Sequence, residues 1–258
     1  MMNDPRLDPL AEARWAAANG FEFLDLTIEA PAATLDHIDA VELRHVLEAS
    51  GLDVVGHTAW YLPFALPDSG VRQAAVDSVV AGFELFAGLG ADRVNVHLGR
   101  SVPLIGRDAG LELAGQSFAE LAERAAEYHL QIIVEHPPDV AFGVADIERV
   151  LNFDERLGFH LDVGHANVGA NRIAAMIERF GHRLAHVHMS DNRGRSDDHL
   201  PLGAGFINWP EVVDLLKQQG YNDTITLEVF SNDRDFLLLS AQKLRHWWAR
   251  ERGSHPSP

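Results

Sequence analysis

A single-domain (β/α)8 barrel is the fold class that this sequence predicts, and three observations predict it. Strand-like and helical patterns alternate along all 258 residues. A hydrophobic content of 47% can bury one large core, at a length where α/β barrels fold as one domain. Six strand-like runs end in a His, Asp or Glu. A barrel builds its chemistry from the C-terminal ends of many strands, whereas an open doubly wound sheet concentrates it at one or two switch points. No Gly-rich phosphate fingerprint follows the first strand.

The elements follow in order. FEFLDLTI at 21–28 alternates as a strand, and the helical pattern at 35–50 stops at Ser50-Gly51. DVVGHTA at 53–59 leads into a helix at 68–89, and DRVNVHLG at 92–99 into one at 108–129. QIIVEH at 131–136 precedes a helix at 144–153, and GFHLDVGH at 158–165 precedes one at 170–180. LAHVHMSD at 184–191 is the sixth strand. Asn208 before Trp209-Pro210-Glu211 starts a helix at 209–219 that Gly220 stops. TITLEVF at 224–230 and a helix at 232–250 complete the pattern. The run 200–207, broken by Gly203 and Gly205, is the candidate for an eighth strand. Residues 1–250 are assigned to the barrel and 251–258 to a disordered tail.

Composition narrows the partners. The formal net charge is −17, with 38 acidic against 21 basic residues, of which only Lys217 and Lys243 are lysine. Such a surface repels nucleic acid, and a small-molecule substrate is expected instead. Zero cysteines exclude disulfides and thiolate metal sites, and fit a cytoplasmic protein. The opening MMNDPRLDPLAEARW has no apolar signal core, and no run approaches the ~20 apolar residues of a membrane helix. Trp247 and Trp248 are read as packing residues, with a homo-oligomer contact as the alternative.

The strand ends carry the chemistry. His57, His97, Glu135, Asp162, His165, His188, Asp197, His199 and Glu228 form an inventory of metal ligands without sulfur. A lone strand-end His is usually a hydrogen-bonded rim residue, but nine such groups at separate ends are hard to ascribe to chance. Glu135 and Glu228 stand out, because each follows an apolar run that would bury its carboxylate without compensation. His160 and His186 lie deeper on the same strand faces and are read as barrel filling. His136 is expected to pack against a helix. His37, His45, His129, His182, His246 and His255 are expected on the surface. Trp60, Phe64 and Trp209 are placed near rim loops as walls of a small pocket.

His57 in GHTAWYLP, His97 in NVHLGRS, Glu135 in IIVEH, LDVGHA, HVHMSD with His188 and Asp191, SDDHLPLGAG and Glu228 in TLEVF together resemble the xylose-isomerase-like TIM-barrel superfamily. That superfamily contains sugar and sugar-phosphate isomerases and epimerases, some dehydratases, and the endonuclease IV type of abasic-site nuclease. The resemblance covers roughly residues 20–230. On the isomerase pattern it implies one divalent ion (Mn, Mg, Co or Zn) held by Glu135, Asp162, His188 and Glu228. Glu135 and Glu228 would then act as an acid/base pair on a keto-sugar or sugar phosphate through an enediolate. His165, Arg100, Arg193, Arg195 and Trp60 would contact substrate, the arginines as hydroxyl or phosphate clamps. On the endonuclease pattern all nine residues hold up to three zinc ions, with His57, His97 and Glu135 at one site and His165, Asp197 and His199 at another. A polyol or keto-inositol dehydratase would use the same metal site. The acidic charge and the short segment between His188 and Asp197 favour the isomerase branch.

Overall fold

The structure, a computed structural model, describes residues 1–99 and 103–250. The expected tail at 251–258 and the candidate Arg100 lie outside the described residues. Seven strands form one sheet in chain order: β1 (Phe23–Ile28), β2 (Asp53–Thr58), β3 (Arg93–His97), β4 (Gln131–Glu135), β5 (Gly158–Asp162), β6 (Leu184–Met189) and β7 (Ile225–Leu227). The pairs β1/β2, β2/β3, β3/β4 and β6/β7 are parallel. All seven expected strands are present, most trimmed by a residue or more.

No eighth strand occurs among the described residues. The 200–207 run consists of turns and bends, joined to the preceding segment by one antiparallel bridge between Asp191 and Leu200. Gly203 has φ +81°, and a Cβ on Gly205 would strike the Asn192 carbonyl, so neither glycine is in strand geometry open to other residues.

The helices show where local signals were read too coarsely. α1 (Pro9–Ala18) was not anticipated, although Asp8 caps it through Leu10 N and Ala11 N and proline occupies its first turn. α2 (Ala40–Ser50) starts later than expected because Asp39 accepts from Val41 N and Glu42 N. The helix expected at 68–89 is two, α3 (Ser69–Val80) and α4 (Phe83–Gly88), with the break at residues 81–82. α5 (Arg107–Ala126), α6 (Val144–Leu151), α8 (Ile173–Phe180), α9 (Trp209–Gln218) and α10 (Asp235–Ala249) lie where the pattern put them. Between β5 and α8 a short helix α7 (Val163–Asn167) replaces the end of the expected strand, so His165 stands on helix rather than strand.

The chain divides into two compact units, one of Met1–Pro137 with Ala145–Phe159, the other of Pro138–Val144 with residues from His160 onward. In the first, Leu24, Leu26, Val94, Val96, Ile132 and Val134 are buried on the strands, and Phe83, Phe86, Phe118 and Leu121 bury the helices. These strand residues share one face, the one that helix α4 covers at Gly56. In the second, Val187 and Met189 are buried, as are Met176, Ile177, Val213 and Leu216. Phe64 and Trp209 are corrections to the pocket expectation, since each is only 1% exposed. Phe64 meets Phe118 edge-on at 5.3 Å, and Trp209 stacks on Trp247 at 6.4 Å. Trp247 is therefore a packing residue, as expected. His136 is buried and stacks on Phe159 of β5, a strand residue rather than a helical one.

Gly56 on β2 illustrates the packing density. A Cβ there would lie 2.9 Å from the ring of fully buried Phe86. The Gly56→Ala substitution should destabilise the protein by about 1–3 kcal/mol. Chemical denaturation would register this as a lower midpoint at unchanged slope.

Candidate metal centre

In the first unit, strand alternation puts Asp25, His57, Asn95, His97 and Glu135 on side-chain faces that meet at the C-terminal ends of β1–β4. Register sets this up directly: Thr27 is level with His57, His57 with Asn95, and His97 with Glu135. His57 Nδ1 is 3.2 Å from Asp25 Oδ1, and its Nε2 is 3.0 Å from His97 Nε2. A carboxylate accepting the Nδ1 proton leaves Nε2 as a lone-pair donor, the tautomer a metal ligand needs. His97 Nε2 also lies 3.2 Å from Glu135 Oε2, which accepts a hydrogen bond from Asn95 Nδ2 at 2.5 Å. Glu135 and Asp25 are fully buried. His57, His97 and Glu135 thus converge closely enough to share one ion.

In the second unit a larger group assembles. Asp162 closes β5 and caps α7, its Oδ1 accepting from His165 N at 2.7 Å. His188 Nδ1 lies 3.2 Å from Glu228 Oε2 and 4.0 Å from Asp162 Oδ2. These three side chains can hold one ion between them. Beside them, Asp197 Oδ2 is 3.0 Å from both His165 Nε2 and His199 Nε2. His199 Nδ1 approaches Glu228 Oε2 at 3.8 Å, and the Phe230 ring lies 4.4 Å from the His199 ring. His199 has φ 46°, a left-handed conformation that costs a non-glycine residue about 1–2 kcal/mol. The loop accepts that strain while delivering the imidazole to Asp197.

Electrostatics follow from this packing. Burial alone would raise the Asp197 pKa, but hydrogen bonds from His165 and His199 outweigh it and hold the carboxyl below its usual range. Burial likewise works against ionised Glu228, yet His188, His199 and His165 hold its pKa down at about 2. For His199 burial favours the neutral ring, while Asp197, Glu228 and Asp162 win and raise it to about 9. The donors are oxygens and imidazole nitrogens only, which suits Mn, Mg, Co or Zn. Buried Asp197 Oδ1 and His199 Nδ1 have no hydrogen-bond partner among the described residues. The unsatisfied carboxylate oxygen is what a bound cation would engage, and a cation would take the place of the proton on His199.

Most of the anticipated residues are brought into these two clusters. His160 and His186 are buried as barrel filling, as expected; their rings lie 4.1 and 5.2 Å from the His188 ring, and Thr224 and Thr226 hydroxyls bond His186. His37, His45, His129, His182 and His246 are exposed, as expected, and His255 lies outside the described residues. Arg193 and Arg195 are exposed in the loop after β6. Trp60 is 60% exposed and meets Tyr61 edge-on at 5.9 Å.

Two contributors went unread, and a third was named without a role. Asn95 was legible in principle, since it shares a strand face with His97 in VNVH, whereas Asp25 in FLDL lies on a strand that carried no candidate. Asp191, read only as part of HVHMSD, is the third. Its buried carboxylate accepts from Asn192 N, Ile207 N, Gly203 N at 2.8 Å and the Trp209 indole at 2.9 Å, and its backbone pairs with Leu200. One side chain therefore pins both sides of the loop that carries Asp197 and His199.

Parallel strands that present nitrogen and oxygen side-chain donors at their C-terminal ends are how α/β-barrel enzymes build their active sites. The sequence model of the xylose isomerase-like TIM barrel matches residues 13–251, and the chain belongs to that family. It is 31% identical over 169 residues to an uncharacterized protein of Methanocaldococcus jannaschii, covering 61% of this chain and 57% of that protein. The chain thus spans little more than half the length of that curated relative. It is 27% identical over 213 residues to a probable endonuclease 4 of Nitratidesulfovibrio vulgaris (strain DP4), covering 74% of this chain and 73% of the relative. Among solved structures it superposes on a D-tagatose 3-epimerase-like protein with a TM-score of 0.80 and 25% identity, covering 90% of each chain.

Replacing Asp191 with Asn puts an amide N–H2 where two donors now find oxygen. Asp191→Asn should loosen the 191–209 loop and alter Trp209 fluorescence while the far-ultraviolet circular dichroism stays unchanged. The metal-free protein should also show a pH optimum of stability. Glu228, depressed from 4.5 to about 2, contributes stability that is complete above 4.5 and lost as pH falls through 2. His199, raised from 6.5 to about 9, contributes stability complete below 6.5 and lost as pH rises through 9. Melting temperature should therefore peak between pH 4.5 and 6.5 and fall toward pH 9, as calorimetry would read.

Proposed function

We propose that the protein is a divalent-metal-dependent isomerase or epimerase of a keto-sugar, with Glu135 and Glu228 as the acid/base pair. The observation that carries this reading is the Asp162, His188 and Glu228 group, whose ligand atoms lie within 4.8 Å of one another. To it the isomerase pattern adds Glu135. Likeness to a D-tagatose 3-epimerase-like structure supports the same branch. A bound ion would supply electrophilic polarisation of a substrate carbonyl and its neighbouring hydroxyl.

The chain's own groups do the rest. Glu135 closes β4 and Glu228 directly follows β7, where barrels of this kind place their chemistry. Glu228 is ionised at neutral pH, the state required of a group that removes a proton from carbon. Glu135, oriented by Asn95 Nδ2, would return the proton to the enediolate. His165, fixed by Asp197, would donate to a substrate oxygen. Arg193 and Arg195 stand in the loop after β6 as candidate substrate clamps.

A second reading is favoured by one specific observation. His57 and His97 converge with Glu135, and His165 and His199 converge on Asp197, although an isomerase with one ion needs neither set. Those are the outer sites of a trinuclear zinc phosphodiesterase, and the probable endonuclease 4 relative fits it.

Both readings meet in one experiment on wild type, Glu135→Gln, Glu228→Gln and His57→Ala. Turnover on a ketose panel should fall at least ~100-fold in each glutamine variant while the far-ultraviolet circular dichroism stays that of the wild type. Retained turnover in either would sink the acid/base assignment. Elemental analysis should find about one divalent ion per chain, kept in His57→Ala. Nearly three zinc ions, with one lost in His57→Ala, would establish the trinuclear reading instead.

A further inference from the structure

β1 carries polar side chains at alternate positions on the face that holds His57. Asp25 lies deepest and bonds His57 Nδ1, and Thr27 is level with His57. Period-two geometry continues this face to Glu29, one step beyond the strand's end and so at its rim. Two observations agree with that placement. Glu29 is half-buried, and the register that sets Ile28 level with Thr58, continued one step, carries Glu29 to the height of Ala59, next to Trp60. The Thr27 hydroxyl, one step deeper, is buried with no hydrogen-bond partner among the described residues.

The two residues that follow Ala59 carry large exposed rings. Trp60 and Tyr61 are 60% and 53% exposed and meet edge-on. An aromatic face packs against the C–H face of a sugar, while a carboxylate accepts hydrogen bonds from paired hydroxyls and repels a phosphate dianion.

We propose that Glu29, with Trp60, Tyr61 and the Thr27 hydroxyl, forms a subsite that reads the hydroxyls of an uncharged polyol chain. The substrate of the reaction proposed above is then a free keto-sugar or polyol, not its phosphate ester at this end. This deepens that reading and rests on it. Trp60 was anticipated as a substrate contact; Glu29 was not, and it decides the substrate class.

The experiment is calorimetric binding of free ketoses and of the same ketoses phosphorylated at their terminal carbons, D-tagatose and D-tagatose 6-phosphate among them. The protein is the metal-loaded wild type, Glu29→Gln and Glu29→Lys. At least one free ketose should bind the wild type, its phosphate at least tenfold more weakly. Glu29→Gln should weaken the free sugar about tenfold and narrow the gap, and Glu29→Lys should reverse the preference. Metal content and melting temperature should stay at wild-type values, separating a substrate contact from a structural role. Tighter binding of the phosphate by wild type, unchanged affinity in Glu29→Gln, or no binding of any free ketose would overturn the proposal. Full loss of turnover in Glu135→Gln alongside unchanged binding in Glu29→Gln would overturn this inference alone. Retained turnover in Glu135→Gln would overturn the underlying reading instead.

Discussion

A carboxylate carried out of water must meet a cation or several hydrogen-bond donors, and this requirement organises both clusters. Asp25 meets His57, Glu135 meets Asn95 and His97, and Asp197 meets His165 and His199. Glu228 meets His188 and His199. In each case an imidazole is the compensating group, so acids and bases are buried together and the arrangement doubles as a ligand set. Truncating one member leaves the opposite charge buried and unpaired, which is why these residues are coupled energetically as well as chemically.

The scaffold delivers these groups through two devices. Parallel strand pairing fixes the height of each side chain, so that His57, Asn95, His97 and Glu135 are set by register. Where no strand is available, a hydrogen-bonded carboxylate does the same work. Asp162 caps α7 and thereby places His165, and Asp191 gathers the backbone of the 191–209 loop around its two oxygens. Long-range backbone order and a single buried acid are here interchangeable ways of limiting a side chain's freedom.

Alternation made β1 through β7 legible, because apolar residues at period two or in short buried runs survive any tertiary context. Element ends were less legible. Strand β5 stops at Asp162 because its carboxylate captures His165 N, and the 68–89 helix breaks at residues 81–82, outcomes that depend on contacts rather than propensity. The missing eighth strand has the same origin: the glycines of 200–207 serve a close approach to Asn192 and Asp191, not a ladder.

The sequence by itself determined the class of fold, the strand-end inventory from His57 to Glu228, and the absence of thiolate ligands, since residue type and spacing suffice for each. Tertiary structure decided which donor faces which. The Asp25 to His57 and Asp197 to His165 contacts each span 32 residues, and the His57 to His97 contact spans 40. It also decided that Phe64 and Trp209 are core rather than pocket wall. The physical reason is that side-chain orientation on one strand is local, whereas the distance between two strand ends is fixed by register and packing across the sheet.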